Sequence, residues 1–306
     1  MPHPAPVESL MATVAASDTA TDVFVNAKPL TSQKGVPGAF GGGLLGQSVT
    51  AAAATVPAAF YIYSVQASFL RPADGKEKIT YTVERAADGR AFATRIVRAT
   101  SGASDKSVYV AVLSFQKNDA PAGSVLSYGL SPPDVGVRHA EDISEERLQE
   151  VKTAAITRDI PLLQLTAKEE PFDWRPLENP PAENPTHFRQ RSFVRSPPFE
   201  SDSPSMHLAA LAYLSDTFML GAALNANPAM VGPKLRNVAM GASMTHNLSL
   251  HDHAARVDGW MLGERDTSWG ADGRVLIHQR FWNASTGRLV MSGTQEGLIR
   301  LKNAQL

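Results

Sequence analysis

The sequence contains no cysteine. Disulfides, thiolate metal sites and a cysteine nucleophile are therefore excluded. It also lacks an excess of either charge: 29 basic against 30 acidic residues give a net charge of −1, so nothing favours a polyanionic partner such as nucleic acid. No uninterrupted apolar run reaches the roughly 18 residues needed to span a membrane. The start, "MPHPAPVESLMATVAASD", has neither the basic opening nor the long apolar region of a secretory signal. The expectation is an intracellular chain, with the sequons at Asn247 and Asn283 carrying no glycan.

What the sequence does contain is a repeat. The tetrapeptide Ala-Asp-Gly-Arg occurs at 87–90 and again at 271–274. Asp-Gly is a common tight-turn signal, so the flanks must decide whether the repeat means anything. Around both copies an extended segment leads into the turn, a segment with period-two alternation follows, and a second turn ends in Ser-Gly or Thr-Gly. Upstream lie strand-like "YSVQASFLRP" and "MTHNLSLHDH". Before those come "FGGGLLGQSVTAAAAT" and "YLSDTFMLGAALNAN", apolar nearly all round and so predicted as buried helices. Each half thus reads as a helix followed by antiparallel strands, an α+β module present twice.

Between the halves the composition changes. "NDAPAGSVLSYGLSPPDVG" and "LENPPAENP" are rich in Pro, Gly and Ser, and "SEERLQEVKTAA" reads as a short charged helix with a capping-box start at Ser144 and Glu145. The predicted organisation is an N-terminal module at 1–117, a crossover at 118–185 whose Pro-rich pieces form no central strand, and a C-terminal module at 186–306.

Several local signals point two ways. Gly41-Gly42-Gly43 with Gly46 lacks the Lys-Ser/Thr ending of a phosphate loop, and close helix packing is the preferred reading. His246, His251, Asp252 and His253 form a cluster, and a strand would put His251 and His253 on one face; with no third ligand at a recognised spacing, no metal is assigned. "HFRQRSFVRS" reads as a strand presenting Arg189, Arg191 and Arg195, either to coenzyme A phosphates or to solvent.

Taken in order, "FGGGLLGQSVTAAAATVP", "SFLRPADGKEKITYTVERAADGRAFATRIVRATSG" and "LSFQ", then "HLAALAYLSD", "ASMTHNLSLH" and "TQEGLIR", resemble the acyl-CoA thioesterase II family, the double-hotdog thioesterases of bacteria and peroxisomes. The resemblance implies a double hotdog: two modules, each a long central helix wrapped by an antiparallel β-sheet. It also implies a catalytic trio in the second module, falling on Asp216, Ser243 and Gln295, and an acyl-CoA or related acyl thioester as substrate. No cofactor is implied. A carboxylate can take a proton from water while a hydroxyl and a carboxamide fix that water's position. Taken alone, Asp216 is most simply a helix N-cap, Ser243 a turn or strand-edge residue and Gln295 a polar strand residue. Thr245 stands where the family commonly carries Asp.

Hydrolysis to free acid and thiol is the leading reading. A double-hotdog enzyme acting by cyclisation, dehydration or acyl transfer, and a non-catalytic acyl-binding protein, are the alternatives. Self-association stays open. So does a peroxisomal location, because Ala304-Gln305-Leu306 shares its small first residue and final Leu with a Ser-Lys-Leu address but lacks the basic middle residue.

Overall fold

The computed structural model describes residues 6–30, 38–119, 125–157 and 171–302, so the C-terminal tripeptide lies outside the described residues. Helices are α1 (Pro6–Met11), α2 (Gly41–Ala53), α3 (Glu145–Thr157), α4 (Pro204–Asp216), α5 (Gly221–Ala226) and α6 (Pro228–Val231). Strands are β1 (Thr13–Ala15), β2 (Val23–Asn26), β3 (Phe60–Phe69), β4 (Ile79–Asp88), β5 (Phe92–Ser101), β6 (Ser107–Lys117), β7 (Asp173–Pro176), β8 (Gln190–Arg195), β9 (Val238–Leu250), β10 (Met261–Ala271), β11 (Arg274–Asn283) and β12 (Leu289–Leu301).

There are two compact units, and neither is a contiguous stretch of sequence. Unit 1 comprises Met1–Gly129, Pro198–Thr217 and Thr245–Val257; unit 2 comprises Leu130–Pro197, Phe218–Met244 and Asp258–Leu306. Helix α4, which the linear reading gives to the C-terminal module, folds with α2 of unit 1. Small residues are the cause. A Cβ built on Gly42 would come 2.6 Å from Tyr213 O, and one built on Gly46 would come 2.8 Å from Ala209 O and collide with Met11. Contacts that rise along α2 while falling along α4 make the pair antiparallel. The glycines serve helix packing.

In unit 1 the antiparallel strand order is β1-β2-β4-β5-β6-β3, with residues 245–249 of β9 paired to β3. Period-two alternation turns Ile79, Tyr81 and Val83 of β4, Ala93, Val97 and Ala99 of β5, and Tyr109, Ala111, Leu113 and Phe115 of β6 inward. Buried among them is Arg95, held by Thr55 Oγ1 (2.7 Å), the carbonyls of Thr55, Ala87 and Thr94 (each 3.0 Å) and Asp88 Oδ1 (2.6 Å). A buried charge demands such saturation.

In unit 2 the order is β9-β12-β11-β10-β8-β7. Helix α5 lies on its inner face, where Met219, Ala222 and Ala223 pack with Ile277. Strand β7 is the edge and ends at Pro176, as the exclusion of proline from central strands requires. Ser144 Oγ accepts from the Arg147 amide at 3.1 Å and so caps α3, but the third helical residue is Arg147 rather than Glu or Gln, and the reciprocal half of the capping box is missing.

The quartets β3-β4-β5-β6 and β9-β10-β11-β12 have the same spatial order, and both Ala-Asp-Gly-Arg copies sit at the tip of the equivalent hairpin, β4–β5 and β10–β11. The irregularities match too. A bulge interrupts β4 at Ala86 and β10 at Ser268; another interrupts β6 at Val108 and β12 at Val290. Registered on these bulges, Arg95 is equivalent to Ile277, and Leu113 to Gln295. The turns themselves differ. Asp272 and Gly273 both have positive φ (54° and 75°), the two-residue turn that suits a twisted hairpin, whereas Asp88 ends its strand and holds Arg95. Second-turn glycines Gly102 and Gly287 have φ of 61° and 68°.

One sequence expectation changes. The helix predicted over "SDTFMLGAAL" is broken: Asp216 closes α4, Phe218 has a φ of +55°, and α5 starts at Gly221. And although no unbroken apolar run is long enough, Pro204–Ala226 as a whole is long and apolar enough to cross a membrane; 78% of its most apolar window is buried within the protein, so that surface is already used.

Candidate active site

Asp216 is the last residue of α4 and only 6% exposed. It is not an N-cap. The dipole at a helix C-terminus disfavours a carboxylate, and the neighbouring element offsets this: α2 begins at Gly41, where a Cβ would come 2.7 Å from Asp216 Oδ2. The first N–H groups of α2 have no intrahelical acceptor and carry the positive end of its dipole. Gly41 keeps that approach open.

On its other side Asp216 Oδ1 lies 4.0 Å from Nδ1 of His246, which is fully buried. His246 Nε2 is 2.8 Å from Ser215 Oγ, and Ser215 Oγ gives its own proton to the Ala212 carbonyl at 2.7 Å. Ser215 therefore accepts, and the imidazole carries a proton on Nε2. Close by, the Tyr109 hydroxyl is pushed well up by burial, eased by its hydrogen bond with Ser48 and raised further by the Asp216 charge. Ser48 Oγ donates to Leu45 O at 2.7 Å, so Tyr109 donates to Ser48 across 3.1 Å. Ser215, Tyr109 and Ser48 were not singled out by sequence. His246 had been grouped with His251 and His253 instead, but β9 ends at Leu250, His253 stacks on Tyr61 with ring centroids 4.6 Å apart, and burial lowers the His251 pKa. Among the described residues, no group of three His, Cys, Asp or Glu side chains gathers to hold a metal.

Ser243 and Gln295 belong to unit 2, on the neighbouring strands β9 and β12. Gln295, fully buried, donates through Nε2 to Ser243 Oγ. The structure thus brings these two predicted residues together, while Asp216 belongs to unit 1. In unit 1 the bulge register puts Leu113, and not Gln116 near the end of β6, at the position equivalent to Gln295. The arginines of β8 and Arg189 just before it are engaged by the protein: Arg191 Nε bonds Glu264 at 2.7 Å, Arg195 lies 4.3 Å over the Trp260 ring, and Arg189 bonds the carbonyls of Thr186 and Phe188.

Comparison with known proteins bears on the family and the fold. Residues 30–116 match the family model of the acyl-CoA thioesterase N-terminal domain and residues 143–299 that of the acyl-CoA thioesterase C-terminal domain. The chain is 30% identical over 268 residues to acyl-coenzyme A thioesterase 8 of Rattus norvegicus, covering 86% of this chain and 80% of that one. Among solved structures it is similar to an acyl-CoA thioesterase II of Mycobacterium marinum, with a TM-score of 0.73 at 24% identity over 97% and 99% of the two chains. It is also similar to a hot dog fold protein of Alicyclobacillus acidocaldarius, with a TM-score of 0.65 at 15% identity over 98% and 99%. The double-hotdog expectation is met.

Proposed function

The chain belongs to the acyl-CoA thioesterase family, and from that premise we propose that it hydrolyses acyl-CoA to free acid and coenzyme A with Asp216, Ser243 and Gln295 as its catalytic groups. The observation that carries the assignment is the burial of the Asp216 carboxylate at the end of an apolar helix. Burying a charge there costs free energy that a fold alone has no reason to spend.

In the reaction, water attacks the thioester carbonyl, a C–O bond forms, and Asp216 takes the proton. The intermediate then collapses, the C–S bond breaks, and the leaving sulfur takes the proton held by Asp216, which restores the carboxylate. Ser243 and Gln295 supply one hydroxyl and one carboxamide to hold the water. N–H groups at the start of α2 suit the negative charge that develops on the carbonyl oxygen. The test is release of free thiol from a panel of acyl-CoA esters with products identified by mass: acid and coenzyme A are expected, and a cyclised or transferred product without thiol would defeat the hydrolytic reading.

Ser243 positions water rather than attacking the substrate. The residue it bonds, Gln295, is a carboxamide of negligible basicity, and no Gly-x-Ser-x-Gly elbow surrounds Ser243. Ser243→Thr should keep substantial turnover, and no acyl-enzyme should be trapped; mass spectrometry of the quenched enzyme showing an adduct on Ser243 would reverse this.

We infer one site per chain, in a C-terminal module of 186–306 joined by a crossover of 118–185 to a module of 1–117. The shared strand order and bulges support the duplication, and Leu113 in place of Gln295 leaves the first module without the carboxamide. An intracellular location is proposed on the absence of cysteine.

A further inference from the structure

The inner face of unit 2 carries a polar row, and two of its positions are apolar in unit 1. Gln190 of β8 pairs with Arg265 of β10, and Arg265 pairs with Gln279 of β11. Registered on the bulges, the unit 1 counterparts of Arg265 and Gln279 are Val83 and Val97, at 5% and 0% exposure. The fold therefore does not require polar residues there. Gln279 is nonetheless 1% exposed, and neither its Nε2 nor its Oε1 has a hydrogen-bond partner among the described residues. Above the row, Asn225 of α5 gives Nδ2 to Gln190 Oε1 at 3.3 Å, and its Oδ1 has no hydrogen-bond partner among the described residues.

A buried carboxamide with both ends unpaired is costly, because each end has given up its bonds to water and gained none in return. Native proteins keep few such groups, and those they keep mark ordered water or a ligand. Gln279 presents a donor and an acceptor, and Asn225 Oδ1 requires a donor from whatever meets it. A hydroxyl accepts from Gln279 Nε2 and gives its one proton to one amide oxygen; a ketone or a carboxylate supplies no donor. The row also leads toward the catalytic carboxamide. Gln295 pairs with Ile277, and Gln279 pairs with Gly293, which has no side chain to intervene; diagonal neighbours of this kind stand roughly 7–8 Å apart.

We propose that this row binds a hydroxyl on the acyl chain, several carbons from the thioester, so that the preferred substrates are hydroxylated acyl-CoAs rather than plain fatty acyl-CoAs. The proposal rests on the thioesterase reading, because it places the hydroxyl on an acyl group. Its value lies in specificity. A plain chain would leave the amides of Gln279 and Asn225 unpaired, and a site built to bond a substrate hydroxyl discriminates strongly against the analogue that lacks it.

The experiment uses non-hydrolysable thioether analogues of octanoyl-CoA, one plain and a set with a single hydroxyl walked along the chain, with binding measured by calorimetry on the full-length chain. The wild type should bind one hydroxylated analogue roughly tenfold or more tighter than the plain one, the value of about one well-made hydrogen bond. Gln279→Val, which installs the side chain unit 1 uses, should bring that ratio within about threefold without lowering Tm, since it removes an unpaired buried amide. Asn225→Ala is the second variant and should lower the same ratio. Equal binding of plain and hydroxylated analogues by the wild type would mean that the amides hold water only and would overturn the proposal. So would a Gln279→Val variant that folds and keeps the preference. Because analogue binding needs no turnover, a wild type that selects the hydroxyl yet releases no thiol from any ester would refute the hydrolytic reading and leave this one standing.

Discussion

Asp216→Asn should lower kcat for acyl-CoA hydrolysis by roughly 10²- to 10⁴-fold, the range that a positioned acid–base group contributes. Asparagine matches aspartate in size and still offers hydrogen-bonding groups, but it cannot take a proton from water. The fold should survive. A neutral side chain at the end of α4 relieves the unfavourable meeting of a carboxylate with a helix C-terminus, so Tm should hold or rise while activity falls. Opposite movement of the two readouts separates a catalytic group from a structural one. Near-full turnover on every thioester tested would force Asp216 out of the mechanism, and a parallel collapse of stability and rate would make it a packing residue.

The second large effect is on stability. Gly42→Ala should cost about 3 kcal/mol, the upper end of the overpacking range, and lower Tm by roughly 5–10 °C for a chain of this size. The added methyl would meet a backbone carbonyl, Tyr213 O, at 2.6 Å and also the Phe40 ring. A flexible side chain could swing away; a helix carbonyl cannot without moving α4. Gly129→Ala is the control, because nothing lies within 4 Å of its Cβ position. Thermal unfolding curves that coincide for the two variants would remove the close α2–α4 contact from the account.

The parts of this fold that were legible in the sequence are those set by local chemistry. Asp-Gly at both hairpin tips, alternation in "FATRIVRATS" and the glycine run of α2 each carry a short-range physical signal, and each appears in the structure as read. What was not legible depends on partners distant in sequence. Nothing in "HLAALAYLSD" says that it will lie along α2, a stretch more than 150 residues earlier, so the division into units could not follow from linear order. The pairing of Ser243 with Gln295 came from family motifs. His246 reads from sequence as a neighbour of His251 and His253, and the end of β9 at Leu250, which separates it from them, depends on tertiary contacts. Gln116 and Gln295 share a letter near the ends of equivalent strands, and only the bulges reveal that Leu113 holds the position of Gln295.

Those two bulges have an evolutionary meaning. In a strand, an insertion of one residue sends every later side chain to the opposite face. A bulge kept at the same step in both copies is an insertion already absorbed, with its phase fixed before the halves diverged. Descent from one ancestral gene segment then left each half free to change its inward-facing residues one at a time: a guanidinium at Arg95 in one, an isoleucine at Ile277 in the other, leucine against glutamine on the next strand. Chemistry could drift in one copy while the other kept the scaffold filled. The chain keeps a record of that division of labour in its register.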